Sequence, residues 1–418
     1  MGLVVLVGPV DGVNAALEGR EASAALTVPA ALVASGRGVR SGRNDRRAGA
    51  RRSIWRYALG IMPIALPARP AEAHALDVAR ALLAADGQLK GERRVICTTA
   101  GRGQAAFEMA EADPAARVTV WFLDLFPQAA AVAAWESPPP GLHAACAADM
   151  PPGPYDLAVL PLSKNGEAEL SRDILQAAFQ QLAIGGRLVA AIDNAQDNWL
   201  REQLAETGET VRVRPAAAGD TVAYIVEKTH ELTKIRDFSS EFVFRDRDRL
   251  LTAVTRPGVF AHRRIDPGAR HLLNAVDLAE DTRVVDIGCG SGCVAMGLAA
   301  RDKSVHVHAF DAAARAVECT QRGAAMNSLD NLTVALECDG NVPEPGSYDL
   351  ALANPPYYAD FRIAEVFVEA AYRALAPGGT LLIVTKQPTW YVENLPNAWN
   401  DVARESVKTY HLIEAVRP

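Results

Sequence analysis

The residues best suited to chemistry in this chain are Asn354-Pro355-Pro356-Tyr357, which follow an apolar run. A conjugated amine is a poor nucleophile because its lone pair is delocalised into the π-system. The Asn354 side-chain oxygen and the Pro355 carbonyl, which Pro356 flanks, can each accept one N–H and so align that lone pair with an electrophile. Tyr357 can stack on the ring that carries the amine. The segment predicts methylation of an amino group, although Asn-Pro is also a common turn dipeptide.

A glycine-rich turn lies upstream, in the segment from Asp286 to Gly292, between an apolar run and the helical pattern Val294 to Ala300. Glycines at alternate positions let the backbone approach a ligand, and the start of a helix offers N–H groups. The spacing is G-x-G-x-G, whereas dinucleotide-binding turns have G-x-G-x-x-G. Taken alone, glycines followed by an acid could equally bind a nicotinamide cofactor.

Two further predicted strands also end at acids. The run Val305 to Phe310 precedes Asp311, which is placed to accept hydrogen bonds from both hydroxyls of a ribose. The run Leu332 to Glu337 leads to Asp339, where a carboxylate could meet an adenine amine. Strands that alternate with helices indicate a parallel sheet with its ligands at the carboxyl ends of the strands.

This succession resembles the class I S-adenosylmethionine-dependent methyltransferases over at least Leu272 to Pro418. The resemblance implies S-adenosylmethionine as the methyl donor and no metal. It implies that Asn354, Pro355, Pro356 and Tyr357 hold the amine, with proton loss after transfer and no charged base. The residues that it assigns to the donor are Asp286, Gly288, Gly290, Gly292, Asp311 and Asp339.

The first half of the chain repeats the landmarks of the second. Arg94 to Gly103 aligns with Arg283 to Gly292 at a constant offset of 189 residues. The Tyr-Asp-Leu-Ala segment that starts at Tyr155 recurs at Tyr348. We therefore predict an α/β protein with two tandem Rossmann-like methyltransferase domains, each with a mostly parallel seven-stranded sheet.

The first copy lacks the residues that carry the chemistry. Cys97 stands where the second copy has Asp286, and Thr99 stands at the position of Gly288. The counterpart of the Asn-Pro-Pro-Tyr segment reads Pro161-Leu162-Ser163-Lys164. A β-branched threonine obstructs the close approach of a ligand to the turn. We expect the first domain to be degenerate and inactive.

A degenerate copy followed by an active one resembles the ribosomal RNA guanine-N2 methyltransferases, especially the small-subunit methyltransferase C family. Arg256-Pro257-Gly258-Val259-Phe260 and Ile265-Asp266-Pro267-Gly268 match further family segments, so the resemblance spans roughly Met62 to Pro418. After Asn-Pro-Pro the family usually has Phe-His-Asp-Gly, whereas this chain has Tyr357-Tyr358-Ala359-Asp360. This departure leaves the nucleoside open.

The resemblance implies methyl transfer to the N2 amine of a guanine in 16S ribosomal RNA, with that RNA or the small subunit as partner. Alternatives are a 23S guanine-N2 enzyme, an enzyme that methylates adenine N6 or protein glutamine, and a donor-binding assembly factor without catalysis. We expect a cytoplasmic protein and take a monomer as the default, since the sequence does not give the oligomeric state.

Composition fits a globular protein of two or three domains, with 418 residues and 49% hydrophobic content. The net charge of −7 excludes a generic coat for nucleic acid, so RNA contacts require local basic patches. Their candidates are His262-Arg263-Arg264, Arg270-His271, Arg362 and Lys386. The six cysteines have no metal-ligand spacing and predict reduced thiols, and no stretch is long enough to span a membrane.

The predicted organisation has four parts. Residues 1–61 form a basic extension rich in arginine, expected to be disordered when alone. Residues 62–229 form the degenerate domain, which we expect to dock RNA. Residues 230–260 form a connector with a hairpin around Arg245-Asp246-Arg247-Asp248, and residues 261–418 form the catalytic domain.

Overall fold

The chain divides into two compact units, Met1–Ile235 and Arg236–Pro418. The computed structural model describes Val4–Val5, Leu26–Thr27 and residues 68–85, 92–135, 137–217, 219–356 and 361–418. The predicted extension, residues 1–61, lies outside the described residues except for one antiparallel pair, β1 (Val4–Val5) and β2 (Leu26–Thr27). No helix in the described part of the chain is both long and apolar enough to cross a bilayer.

The first unit is built on a seven-stranded mixed sheet. Its strands are β3 (Arg94–Cys97), β4 (Arg117–Phe122), β5 (Leu142–Cys146), β6 (Tyr155–Leu162), β7 (Leu182–Ile192), β8 (Arg212–Pro215) and β9 (Val222–Glu227). Its helices are α1 (Pro70–Ala85), α2 (Gln104–Ala112), α3 (Leu125–Ala134), α4 (Ala168–Gln181) and α5 (Trp199–Ala205). The strand order is β5-β4-β3-β6-β7-β9-β8, and β9 is antiparallel to both of its neighbours.

The second unit begins with a hairpin and then repeats this plan. Its strands are β10 (Ser240–Asp246), β11 (Arg249–Thr255), β12 (Arg283–Ile287), β13 (His306–Asp311), β14 (Leu332–Leu336), β15 (Tyr348–Ala353), β16 (Leu375–Thr385), β17 (Asn400–Val407) and β18 (Tyr410–Val416). Its helices are α6 (Pro267–Ala275), α7 (Cys293–Arg301), α8 (Ala314–Met326), α9 (Arg362–Ala374), α10 (Thr389–Asn394) and a 3₁₀ turn, Leu395–Asn397. The sheet order is β14-β13-β12-β15-β16-β18-β17.

Helices cover both faces of each sheet. In β3, Val95 and Cys97 belong to one buried cluster and Ile96 to another, because successive strand residues face opposite sides. In β12, Val284 and Val285 divide in the same way. Central strands buried on both faces explain the continuous apolar runs of the sequence. The predicted α/β class with two mostly parallel seven-stranded sheets is confirmed.

The repeat extends to individual hydrogen bonds. The backbone N–H of Arg94 donates to Asp156 Oδ2 over 2.8 Å, and that of Arg283 donates to Asp349 Oδ2 over the same distance. In both units the fourth parallel strand therefore supplies a carboxylate that fixes the start of the central strand.

The hairpin β10–β11 belongs to the second unit, because the division between units falls before it. Its turn residues are Arg247 and Asp248, the last two of the predicted polar segment, whose first two residues belong to β10. Asp246 is buried and accepts two hydrogen bonds from the Arg301 guanidinium, at 2.8 and 2.9 Å. This paired and buried contact fixes the hairpin to α7, since bidentate charge-assisted hydrogen bonds hold a defined geometry.

Candidate functional site

The site lies where the strand order of the second sheet changes direction. The chain runs outward from β12 through β13 to β14 and then returns to the other side of β12 as β15. The last paired residues of these neighbouring strands are Ile287 and Ala353, so Gly288 and Asn354 emerge side by side. Ligands of open α/β sheets bind in the crevice at such a switch point.

The glycine turn after β12 contains glycines of two kinds. Gly288 and Gly292 have φ of +73°, and a Cβ at either would lie 2.6 Å from Phe367 or Thr320, respectively. Gly290 has φ of +56°, and the nearest atom to its Cβ position is the Cβ of Phe260, at 4.0 Å. Gly288 and Gly292 thus allow tight packing, whereas the space beside Gly290 is open.

Asp286 is buried near the end of β12, and its Oδ2 accepts the N–H of Ala295 in the first turn of α7 over 3.2 Å. The pKa of this carboxyl is raised from its ordinary 3.8 to about 7, chiefly by burial; the hydrogen bond from Ala295 opposes the shift and the charge of Asp311 adds to it. Asp286 therefore orders the start of the helix that the glycine turn leads into.

Asp311 ends β13, as the sequence predicts, and its carboxylate contacts the glycine turn. Oδ2 accepts the N–H of Gly290 over 2.9 Å, and Oδ1 accepts that of Ala313 over 2.8 Å. Each carboxylate oxygen can accept more than one hydrogen bond, so these contacts are compatible with a ribose ligand. The contact to a ribose stays a prediction.

Asp339 lies beyond the end of β14 and is exposed. Desolvation, followed by the neighbouring Glu337 carboxylate, raises its pKa. Its own N–H donates to Glu337 Oε1, and its carbonyl accepts from Arg373. Glu337, Cys338 and Asp339 place one polar atom each within 4.8 Å of one another, an arrangement common in exposed acidic groups without a metal. The predicted adenine contact of Asp339 remains a prediction.

The acceptor segment follows β15 directly. Asn354 is half-buried, Pro355 is buried and Pro356 is half-buried, while Tyr357 lies outside the described residues. The Asn354 Nδ2 donates to Asp266 Oδ2 over 2.8 Å, and Asp266 is the residue that caps α6. The structure therefore brings Asn354 and Pro355 to the same edge as Asp286 and the glycine turn.

Sequence reasoning missed two residues that the fold places at this site, Asp266 and Phe260. Both lie in segments that match the methyltransferase C family, but neither segment indicates a role. Phe260 is 62% exposed beside Gly290, although the backbone before it is fixed by the Arg315 guanidinium, which donates to the carbonyl of Pro257 over 2.9 Å. An exposed aromatic ring on an anchored segment is suited to covering a ligand.

Four of the predicted basic residues lie on the surface. Arg263, Arg264, Arg362 and Lys386 are exposed. The Lys386 amine lies 4.9 Å from the centroid of the Tyr410 ring, which also packs against His271 at 5.3 Å. Lys386 directly follows β16, the strand next to β15, and therefore shares the carboxyl edge with Asn354.

The corresponding turn of the first unit is satisfied internally. Glu72, on α1, is fully buried, and its carboxylate accepts the hydroxyl of Thr99 and the N–H groups of Ala100 and Ala105. The Thr99 hydroxyl also accepts the N–H groups of Gly101 and Gly103, each over 2.9 Å. The N–H groups that could hold a ligand are thus bound to the protein's own side chains.

Comparisons with known proteins find methyltransferases. A family model described as the methyltransferase small domain matches residues 250–413. Ribosomal RNA small subunit methyltransferase C of Pseudoalteromonas translucida is 30% identical over 174 residues, 40% of this chain and 50% of that protein. Its counterpart from Pseudomonas putida is 26% identical over 240 residues, 56% of this chain and 71% of that protein. The chain spans half the length of the first of these relatives.

A solved structure shows a similar fold over both units. The 16S rRNA N2 methyltransferase of T. thermophilus, in complex with AdoMet and guanosine, superposes with a TM-score of 0.68 at 22% identity. The match covers 84% of this chain and 92% of that one. The predicted resemblance to the class I methyltransferases, and among them to the small-subunit methyltransferase C proteins, is confirmed.

Proposed function

We propose that this chain, which resembles the small-subunit ribosomal RNA methyltransferase C proteins, methylates the exocyclic N2 amine of a guanine in 16S ribosomal RNA with S-adenosylmethionine as donor. The observation that carries the proposal is the adjacency of two segments. Asp286 pairs with Leu352 and Ile287 with Ala353, so the glycine turn and Asn354 leave neighbouring strands together. Parallel strands lie about 4.8 Å apart, which is close enough for a donor and an acceptor to meet.

The residues after β12 and β13 fit the donor. Gly290 leaves room for the nucleoside, Asp311 offers carboxylate oxygens beside it, and Phe260 can cover it. The donor supplies an electrophilic methyl group on a sulfonium. We propose that Asp286 and the packed glycines, Gly288 and Gly292, keep the turn in the shape that this binding requires.

The residues after β15 would orient the acceptor. The Asn354 Oδ1 and the Pro355 carbonyl each accept one N–H of the guanine amine, so that its lone pair points to the donor methyl group. Tyr357 is proposed to stack on the base. The new N–C bond forms as the S–C bond breaks, and the amine then loses a proton to water. Alignment supplies the rate enhancement, since a fixed near-attack geometry can contribute several kcal/mol.

The first unit is proposed to dock RNA while the second methylates it. Its turn binds its own Glu72 and Thr99, which supports a role other than donor binding. Extrusion of a base costs a few kcal/mol, roughly, and docking contacts can offset this cost. A ribosomal RNA partner and the need for S-adenosylmethionine both favour a cytoplasmic location for the protein.

Transfer of a tritiated methyl group to naked ribosomal RNA, to 30S particles and to 50S particles tests the proposal. We expect label in 16S RNA at one guanine, mapped as N2-methylguanine. Label in 23S RNA, on adenine or on protein would replace the proposed substrate with that alternative. If none of these is labelled while S-adenosylmethionine binds normally, the chain is a donor-binding factor.

Replacement of Asn354 by Ala tests the acceptor role. We expect transfer to fall at least about 10²-fold, because the amine loses the acceptor that aligns it. Donor affinity, measured by calorimetry, should stay within about threefold, because Asn354 is proposed to contact the acceptor and not the donor. A tenfold change would correspond to about 1.4 kcal/mol. Undiminished transfer in this variant would contradict the proposed mechanism.

A further inference from the structure

One carboxylate joins the acceptor segment to the start of α6. Asp266 lies 88 positions before Asn354, and its Oδ2 accepts two hydrogen bonds. One comes from the N–H of Ala269, over 3.1 Å, and caps the helix. The other comes from Asn354 Nδ2, over 2.8 Å. The cap alone does not require the second contact, because a serine would cap the helix as well.

The contact decides which way the Asn354 amide points. A carboxylate oxygen can only accept hydrogen bonds, so the Asn354 amide must direct its NH₂ group to Asp266. Its Oδ1 is then the end of the amide that does not bind Asp266. Gly268 lies against the same amide: a Cβ at this residue would be 2.9 Å from Asn354 Oδ1 and 2.7 Å from Asp266 Oδ2. Glycine is therefore the residue that lets the helix start pack onto the pair.

The orientation matters for the reaction because the two ends of an amide have opposite roles. With Oδ1 towards the substrate, Asn354 accepts an N–H of the amine. Turned end over end, it would present its own N–H groups to that amine, and two donors would face each other. A carboxylate bound to the NH₂ group also draws electron density towards Oδ1, because hydrogen bonds in a chain polarise one another.

We propose that Asp266 is a positioning residue for methyl transfer, which fixes the Asn354 amide as an acceptor, and that Gly268 provides the space for this pair. The proposal rests on the proposed function of the site. It assigns to Asp266 an effect on the chemical step that is separate from its effect on the helix.

Asp266→Ser separates the two roles. Serine keeps a cap for Ala269 but is too short to hold Asn354, so the free energy of unfolding and the donor affinity should stay close to those of the wild type. We expect kcat to fall about 10²-fold with a much smaller change in KM. Gly268→Ala, which introduces a Cβ into the pair and favours helix, should reduce kcat in the same way.

The exchanged pair provides the rescue. In Asn354→Asp alone, two carboxylates face each other and kcat should be low. In Asp266→Asn/Asn354→Asp, the new amide at position 266 donates to a carboxylate at position 354, which still accepts from the substrate. We expect this double variant to recover at least about tenfold over each of its single parents, Asp266→Asn and Asn354→Asp, since realignment of the amine restores the near-attack geometry. An Asp266→Ser enzyme with the kcat of the wild type, or a double variant no better than its single parents, would overturn the proposal.

A readout without substrate keeps the two hypotheses distinguishable. The Asn354 side-chain NH₂ resonances, identified by their loss in Asn354→Ala, should exchange with solvent several-fold faster in Asp266→Ser than in the wild type. If the wild type methylates no RNA but this difference is seen, the proposed function fails and the pairing stands. Equal exchange rates in the two proteins would refute the pairing whatever the substrate.

Discussion

Replacement of Glu72 by Ala should destabilise the first unit selectively. Glu72 is completely buried, and its carboxylate accepts hydrogen bonds from three groups. The Thr99 hydroxyl donates over 3.0 Å, and the N–H groups of Ala100 and Ala105 each donate over 3.2 Å. Alanine would leave all three donors without this acceptor; Ala105 is buried, and Thr99 and Ala100 are half-buried.

The magnitude follows from those three donors. A buried donor that loses its partner costs about 1–3 kcal/mol, so the sum is about 3–9 kcal/mol. The lower part of the range applies for two reasons. Two of the three donors are half-buried and can reach water, and removal of the carboxylate also relieves its desolvation, which raises the pKa of Glu72 above its ordinary 4.5. We expect a loss of about 3–5 kcal/mol, a large share of the stability of one domain. Glu72→Gln keeps one acceptor oxygen and should lose about half as much.

Hydrogen exchange followed by mass spectrometry on the full chain provides the assay. Peptides from residues 94–112 should exchange faster in Glu72→Ala, while the equivalent peptides from residues 283–301 serve as an internal control and should not change. Donor affinity should also be unchanged, because the donor is proposed to bind the second unit. Equal protection of residues 94–112 in wild type and variant would refute the assignment of Glu72 as the group that holds this turn.

Two further predictions concern the second unit. Because burial raises the pKa of Asp286 from 3.8 to about 7, the unfolded chain loses this proton first, and stability should fall as pH rises between these values. The fall amounts to at most about 4 kcal/mol, and Asp286→Asn, which retains an acceptor for Ala295, should remove it in urea titrations at several pH values. Phe260→Ala should weaken donor binding about 5- to 10-fold by calorimetry, because the ring beside Gly290 is expected to contribute about 1 kcal/mol of stacking. Val243→Ala, at an equally exposed position, is the matched control.

Three outcomes would contradict the expectations for Asp286 and Phe260. A pH dependence of unfolding that is the same in wild type and Asp286→Asn would show that another group titrates in this range. Equal donor affinity in Phe260→Ala and Val243→Ala would place the Phe260 ring outside the donor site. A loss of stability in Phe260→Ala beyond about 0.5 kcal/mol would be unexpected for so exposed a residue.

The sequence was sufficient to predict that Asp286, Asp311 and Asn354 lie close together, because each of them ends or directly follows an apolar run. In a parallel sheet the carboxyl ends of all strands meet at one edge, so Asp286, Asp311 and Asn354 had to converge there. The duplicated landmarks predict the same arrangement of strands in the first unit. The structure agrees, since Arg94 and Arg283 each donate to an aspartate of a neighbouring strand. The order of the residues in the sequence and the direction of the strands were enough to predict that these residues lie at one edge of the sheet.

Contacts between distant side chains could not be predicted in this way. Asp266 and Asn354 are far apart in the sequence, and the Asp-Pro-Gly segment alone indicates only the start of a helix. Glu72 lies in a helix of otherwise ordinary pattern, where a charged residue would be expected to face solvent. Whether a helix start turns its cap towards a strand end depends on packing, which the periodicity of a single chain does not specify.

The two copies of the fold differ in the position of one buried carboxylate. In the second unit Asp286 lies on the strand and accepts the N–H of Ala295 at the helix start, while the N–H of Gly290 in the turn donates to Asp311. In the first unit the strand has Cys97, and Glu72 reaches from the preceding helix to hold the turn itself. Thr99 completes this arrangement. A single reversal, such as Thr99→Gly, would leave the buried Glu72 carboxylate in place, so the strand, the turn and the helix would all have to change to give the first unit the arrangement of the second.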